Sequence, residues 1–235
     1  MRTRSLTGLA GLTVVAALAL AGCSGSDSDS GKASDSAPTT GVSCDYTDDG
    51  SSPAKKVDPP PATATQTGKV GVTIATSAGD LDAELDADAA PCTVNSFVAL
   101  AQQGYFDGTS CHRLTTSGIA VLQCGDPTGT GSGGPGYSFD DELEALPKAG
   151  ADGAIDYPAG TLAMANAGPS TNGSQFFVVY GDTKLPPAYT VFGQIDDASV
   201  KVVEKVAEAG TDNAFGDGDG HPTTPVDISK VTVAD

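Results

Sequence analysis

The chain has no tryptophan, two histidines and two methionines in 235 residues. A site built from several imidazoles, or an aromatic cage, is therefore poorly supplied. Basic residues are also few, with 12 Lys and Arg against 30 Asp and Glu, for a formal charge of -18. A surface of that sign repels a phosphate backbone, which excludes a general nucleic-acid-binding role. A phosphate-binding P-loop is missing its lysine. Gly129, Gly131 and Gly134 match G-x-G-x-x-G, but Pro135-Gly136 stands where a helix should start, so a dinucleotide site is rejected. No metal site and no cofactor are expected. What the chain has in quantity is 30 glycines and 15 prolines, which point to many turns or unstructured segments. Its length suffices for one domain with a substantial core, and no internal repeat is visible.

Residues 1–22 have the form of an export signal. Arg2 and Arg4 give the positive start, and the apolar stretch 6–20 is too short and too rich in small residues for a comfortable membrane span. The run Leu20-Ala-Gly-Cys23 resembles a bacterial lipobox, so Cys23 is expected to carry lipid. A plain secretory signal cut nearby is the alternative. The lipoprotein reading places the chain on the extracytoplasmic face of the cell membrane, anchored through Cys23. Residues 23–67 are expected as a tether: Ser, Asp and Gly first, then a stiffer Pro-rich stretch. Within it, the segment 42–56 holds Cys44 and Tyr46 and is a candidate for packing on the domain.

The compact domain is expected over 68–235. Val70, Val72 and Ile74 alternate with smaller or polar residues, as do Leu81, Ala83 and Leu85 beyond the turn at Gly79-Asp80, which reads as an antiparallel hairpin. Pro91 suits a first helical position and Gly104 a C-terminal stop, with Val94, Phe97, Val98 and Ala101 on one face. Short strands are expected near 111–115, 119–123, 160–165, 175–180, 190–195 and 226–233. A second helix over 198–209 places Val200, Val203, Val206 and Ala207 together before Gly210.

Residues 160–180 contain Met164-Ala-Asn-Ala-Gly-Pro and Thr171-Asn-Gly-Ser-Gln-Phe-Phe177. This nearly unbroken run resembles the signature of the cyclophilins, which are peptidyl-prolyl cis-trans isomerases, and a looser likeness extends from about 69 to 233. The resemblance implies a mainly β fold: a closed antiparallel eight-stranded barrel capped by two α-helices. It implies as function the acceleration of X–Pro rotation, with proline-containing exported polypeptides as partners. An oligomer is not expected.

The resemblance also assigns residues. His112-Arg113 matches the family's dipeptide, which makes Arg113 the donor to the prolyl nitrogen and His112 a groove wall. Gln175 matches the amide that holds the substrate backbone near Arg113. Ala165, Asn166 and Ala167 match the segment that binds the residue before proline, Phe177 the floor of the proline pocket, and Gln123 a groove residue. The chain then departs from the pattern. Where the family reads Ile-Pro-Gly-Phe-Met, this chain is two residues longer, and counting back from Gln123 puts Ala120 at the pocket Phe and Val121 at the Met. A pocket without that Phe forfeits ~1.5–3 kcal/mol of apolar contact, unless Ile119 fills the gap. Leu185 or Pro186 occupies the region of the frequent groove Trp, and Tyr189 stands where many members have His. Ala120 and the longer loop support an alternative reading, a cyclophilin-fold peptide-binding module or chaperone with weak or no catalysis.

Beyond Cys23 there are four cysteines, 44, 92, 111 and 124. In an exported protein they favour two disulfides, with three pairings open. Adjacent strands favour Cys111 with Cys124, leaving Cys44 with Cys92; free or metal-binding thiols are the alternatives. Asp217-Gly-Asp-Gly-His221 has a calcium-loop flavour but lacks the later Glu, and reads as a solvated turn.

Overall fold

The structure is a computed structural model that describes residues 41–234. The signal segment, Cys23 and the first part of the expected tether lie outside the described residues.

Three two-residue strands come first, β1 (Val42–Ser43), β2 (Thr47–Asp48) and β3 (Thr63–Ala64). The hairpin is β4 (Lys69–Thr76) and β5 (Gly79–Asp86), followed by helix α1 (Pro91–Gln102). Next come β6 (Thr109–Ser110), β7 (Arg113–Thr115), β8 (Val121–Cys124) and β9 (Tyr137–Ser138). Then follow β10 (Ile155–Tyr157), β11 (Thr161–Met164), β12 (Phe176–Val179), β13 (Thr183–Leu185) and β14 (Val191–Ile195). Helix α2 (Asp197–Glu208), β15 (Asp219–Gly220) and β16 (Asp227–Val233) complete the order.

The hairpin follows from its period of two: Leu81, Ala83 and Leu85 are buried while Asp80, Asp82 and Glu84 between them are not. Helix α1 starts at Pro91 and stops before Gly104, whose φ of 65° is open to glycine. Its N-cap, Ala90, offers no side-chain acceptor. The Glu142 carboxylate takes that role from a distant loop, accepting from Cys92 N and Thr93 N at 2.9 Å each. Helix α2 caps itself through Asp196, which accepts from Ser199 N at 2.7 Å, and buries Val200, Val203 and Val206.

Ten strands form one antiparallel sheet in the order β15-β7-β8-β12-β11-β14-β5-β4-β16-β6. The expected closed eight-stranded barrel is corrected here: the hydrogen-bonded ladder is open, with β15 and β6 as its edges, and it forms a curled half-barrel. The curl is imposed covalently. Strand β6 at one edge ends at Ser110, and β7, next to the other edge, begins at Arg113. Three residue steps span at most about 11 Å, so the sheet must bend until its ends nearly meet. Phe97, Phe106, Phe176 and Phe192 pack inside that curl at ring separations of 4.9 to 5.8 Å.

The described part of the expected tether, 41–67, is held on the domain over most of its length. Cys44 is bonded to Cys92 on α1, Tyr46 Oη donates to Cys92 O at 2.7 Å, and Asn95 Nδ2 donates to Pro61 O at 2.8 Å. Lys55 Nζ donates to the carbonyls of Gly104 and Asp107, and β2 pairs with β9. The segment buries little apolar surface, so composition alone reads it as loose. A covalent staple and hydrogen bonds fix it instead. It buries Asn95 of α1, whose Nδ2 donates to Tyr46 Oη and Pro61 O, whereas the buried Thr93 is bonded to Glu142 and Ser96 to Tyr137. The second disulfide joins Cys111 and Cys124, with Cα atoms 4.0 Å apart. Among the described residues no helix is long and apolar enough to cross a membrane.

Candidate active site

Four strands line up one row of side chains. Arg113 on β7 is in register with Gln123 on β8, Gln123 with Phe177 on β12, and Phe177 with Ala163 on β11. Residues in register share a face of the sheet. Their neighbours Leu122, Phe176, Val178 and Leu162 point to the opposite face and join the interior core. The row therefore lies on the outer, convex face, where Phe177, Val121 and Ala163 belong to a separate small apolar cluster. Alternation thus splits the Phe176-Phe177 pair between core and site.

This face holds a pocket of about 160 Å³. Its apolar lining comes from Ile119, Val121, Ala165, Phe177, Leu185 and Tyr189, and its polar groups from Arg113, Gln123 and Asn166. Pockets for drug-sized ligands run to roughly 300–1,000 Å³; this one suits a single side chain. The Phe177 and Tyr189 rings meet edge to face at 5.6 Å and 83°. Ile119, and not Ala120, reaches the pocket. Gly118 takes a φ of 78° just before, and Ala120 is turned toward the interior core, with its N–H donating to Thr183 Oγ1 at 3.0 Å. The extra loop length shifts the register by one residue, so Ala120 is removed from the expected pocket set.

Arg113 is held as a fork. Its Nε and Nη2 donate to the two carboxylate oxygens of Asp219 at 2.8 and 2.7 Å, and its Nη1 lies 3.5 Å from Gln123 Oε1. The pair is half-buried, with side-chain exposures of 36% and 26%. The hydrogen bond to Asp219 pushes the Arg113 pKa up, and the same bond holds the Asp219 carboxyl below its usual range. Asp219 lies in the Asp-Gly-Asp-Gly-His turn that reads from sequence as merely solvated. A bidentate partner 106 positions away leaves no local sequence signal.

The amides continue the network. Gln123 Nε2 donates to Gln175 Oε1 at 2.9 Å, and Gln175 Nε2 donates to the carbonyls of Gly131 and Gly133 at 2.9 and 3.0 Å. Those carbonyls belong to the Gly/Thr-rich loop, and a second residue missed by sequence reasoning, Asp126, organises it. Asp126 is fully buried, and its carboxylate accepts from the N–H groups of Thr128, Thr130, Gly131 and Gly133. Burial pushes its pKa up, but those donors outweigh burial and hold it below the usual carboxylate range.

Asn166 uses its side chain internally, donating from Nδ2 to Ala188 O at 2.8 Å. Its main-chain N–H and C=O make no hydrogen bond to other described residues, which leaves them open beside the pocket. Ala167 and Gln175 line a second, adjoining pocket. His112 lines neither. It is buried, both ring nitrogens lack partners, and its ring lies under Gly131. Burial pushes its pKa down, so the expected groove-wall position is corrected to one beneath the loop. No group of three or more His, Cys, Asp or Glu among the described residues is placed to hold a metal ion.

The profile of the family "Cyclophilin type peptidyl-prolyl cis-trans isomerase/CLD" matches residues 71–233. The chain belongs to the cyclophilins. This cyclophilin is 50% identical over 201 residues to the "Probable peptidyl-prolyl cis-trans isomerase B" of Mycobacterium tuberculosis, covering 81% of this chain and 64% of that protein. The chain thus spans somewhat under two thirds of that relative. It is 40% identical over 192 residues to the same organism's "Peptidyl-prolyl cis-trans isomerase A", covering 74% of this chain and 94% of that protein. Among solved structures, a cyclophilin-type isomerase of Cryptosporidium parvum superposes with a TM-score of 0.57 at 32% identity, covering 71% of this chain and 98% of that one. The same protein crystallised in the presence of the dipeptide Ala-Pro gives a TM-score of 0.56.

Proposed function

We propose that this cyclophilin catalyses cis-trans isomerisation of X–Pro bonds in exported polypeptides. The observation that carries the reading is a fixed guanidinium at the rim of an apolar pocket sized for one side chain, beside the open main-chain groups of Asn166.

The amide resists rotation by ~18–20 kcal/mol because the nitrogen lone pair is delocalised. As the bond twists, the nitrogen becomes pyramidal and the lone pair becomes an acceptor. The proline ring sits among Phe177, Ile119, Val121 and Leu185, and Asn166 holds the backbone of the preceding residue. Arg113 Nη1 then faces the prolyl nitrogen, since Nε and Nη2 are committed to Asp219. A donor used only in the transition state lowers the barrier without tightening the ground state. No bond breaks, so no nucleophile is required. The alternative of a binding module rested on Ala120 and the longer loop; Ile119 in the pocket removes the first of these supports.

We also place the protein on the extracytoplasmic membrane surface, anchored by lipid on Cys23. The lipobox-like run supports this, and two disulfides suit an oxidising compartment. With a formal net charge of -18 over the whole chain, the protein would stand off an anionic membrane.

The test is cis-to-trans exchange of a short Ala-Pro peptide by wild type and Arg113→Ala. The variant is expected to lose about 10²–10³ in kcat, the effect of removing one preorganised donor. Wild-type rates retained by the folded variant would overturn the mechanism.

A further inference from the structure

Beside the proline pocket lies a larger one of about 460 Å³, and the two share Gln123, Ala165 and Asn166. Its lining is mixed, with Pro135, Tyr137, Ala165 and Ala167 beside glycines, serines and amides. The only charged side chain among its lining residues is Asp49, which comes from the segment preceding the main sheet. That placement is fixed from several directions. Cys44 is bonded to α1, β2 pairs with β9, Asp49 N donates to Gly136 O at 3.4 Å, and Ala54 N donates to Gly134 O at 2.9 Å. Gly136 has no Cβ to hold the segment off, since one built there would lie 3.2 Å from the Pro53 ring.

The nearby charges agree in sign. Asp126 is buried behind Gly131 and Gly133, and Asp141 accepts from Ser170 N next to the lining residue Thr171. Arg113, the cation of the adjoining proline pocket, is already paired with Asp219. No lysine, arginine or histidine lines the pocket.

We infer that Asp49 makes the second pocket a subsite for a basic side chain two residues before the proline. The inference rests on the isomerase reading above, in which Asn166 binds the backbone on the N-terminal side of proline. In an extended peptide, successive side chains alternate. The residue next to proline therefore points away, and the one before it returns to the same side, over the second pocket.

The test uses N-acetylated Lys-Ala-Pro-Phe, Gln-Ala-Pro-Phe and Glu-Ala-Pro-Phe with wild type, Asp49→Asn and Asp49→Lys. Asp49→Asn keeps the acceptor that caps Ser51 N at 2.7 Å, so the turn is preserved. At low salt, wild type is expected to favour Lys over Glu by about three- to tenfold in kcat/KM. The preference should shrink in 0.5 M salt, weaken in Asp49→Asn and reverse in Asp49→Lys. An unchanged order in Asp49→Lys, or equal wild-type rates for the three peptides, would overturn the inference. No acceleration of the Gln peptide would overturn the isomerase reading itself, so the two failures are distinguishable.

Discussion

Replacing Asp219 separates what Arg113 does from how it is held. Two charge-assisted hydrogen bonds at 2.7 and 2.8 Å fix the guanidinium plane. Hydrogen bonds to charged groups contribute roughly 1.5–3 kcal/mol when buried, and exposed pairs about 0–1 kcal/mol. With both partners about a third exposed, Asp219→Ala is expected to cost about 1–2 kcal/mol of stability. The released arginine regains rotamer freedom of up to about 2 kcal/mol, which must be lost again in each transition state. That corresponds to a fall in kcat of up to about thirtyfold, with KM little changed because proline still fills the same pocket. The acid side follows from the depressed Asp219 carboxyl. Its stabilisation is present above the ordinary carboxylate pKa near 4 and is lost as pH falls through the lowered value. Peptide kinetics and thermal melts on wild type, Asp219→Ala and Asp219→Glu give the answer. Partial rescue of kcat by Glu would mark a positioning role. Full kcat in Asp219→Ala with only a lowered melting temperature would show that Gln123 alone suffices, and would refute the reasoning.

Ile119→Ala should remove about 1 kcal/mol of apolar contact from a half-exposed pocket residue, a roughly fivefold fall in kcat/KM. Ala120→Phe should give no gain, since Ala120 faces the core; a tenfold rise would show that the pocket register was misread. His112 has a folded pKa pushed below its usual value of about 6.5 by burial. Its contribution to stability is complete above that pH and declines as pH falls toward the folded value, by at most about 1.4 kcal/mol per pH unit. Denaturant titrations between pH 5 and 7 should show this slope in wild type and a smaller one in His112→Phe, and equal slopes would count against it.

The regular elements were legible because their burial is periodic. Val94, Phe97, Val98 and Ala101 all fall inside, as do Leu81, Ala83 and Leu85. The site's main side chains were legible because one motif carries Gln175 and Phe177 and one dipeptide carries Arg113. The rest depended on geometry that spacing does not encode. The left-handed Gly118 decides whether Ile119 or Ala120 enters the pocket. Asp219 and Asp126 act through long-range pairing and loop curvature, and an Asp beside a Gly occurs in ordinary turns. Cys44 and Tyr46 mark 42–56 as a candidate for packing, but the Pro-rich remainder of 41–67 reads as loose by apolar content, while a disulfide and main-chain hydrogen bonds hold the segment.

The Cys111–Cys124 bond, with a sequence separation of 13, encloses Arg113, Ile119, Val121 and Gln123 in one covalent ring. The other half of the groove, Phe177, Leu185 and Tyr189, is attached to that ring only through non-covalent contacts and the β8–β12 ladder. Local opening of the sheet would therefore divide the site unequally. The donor and its neighbouring amide would stay together while the apolar side of the pocket moved away. Amide exchange in β12 would then mark the loss of proline binding, well before the guanidinium end of the site came apart.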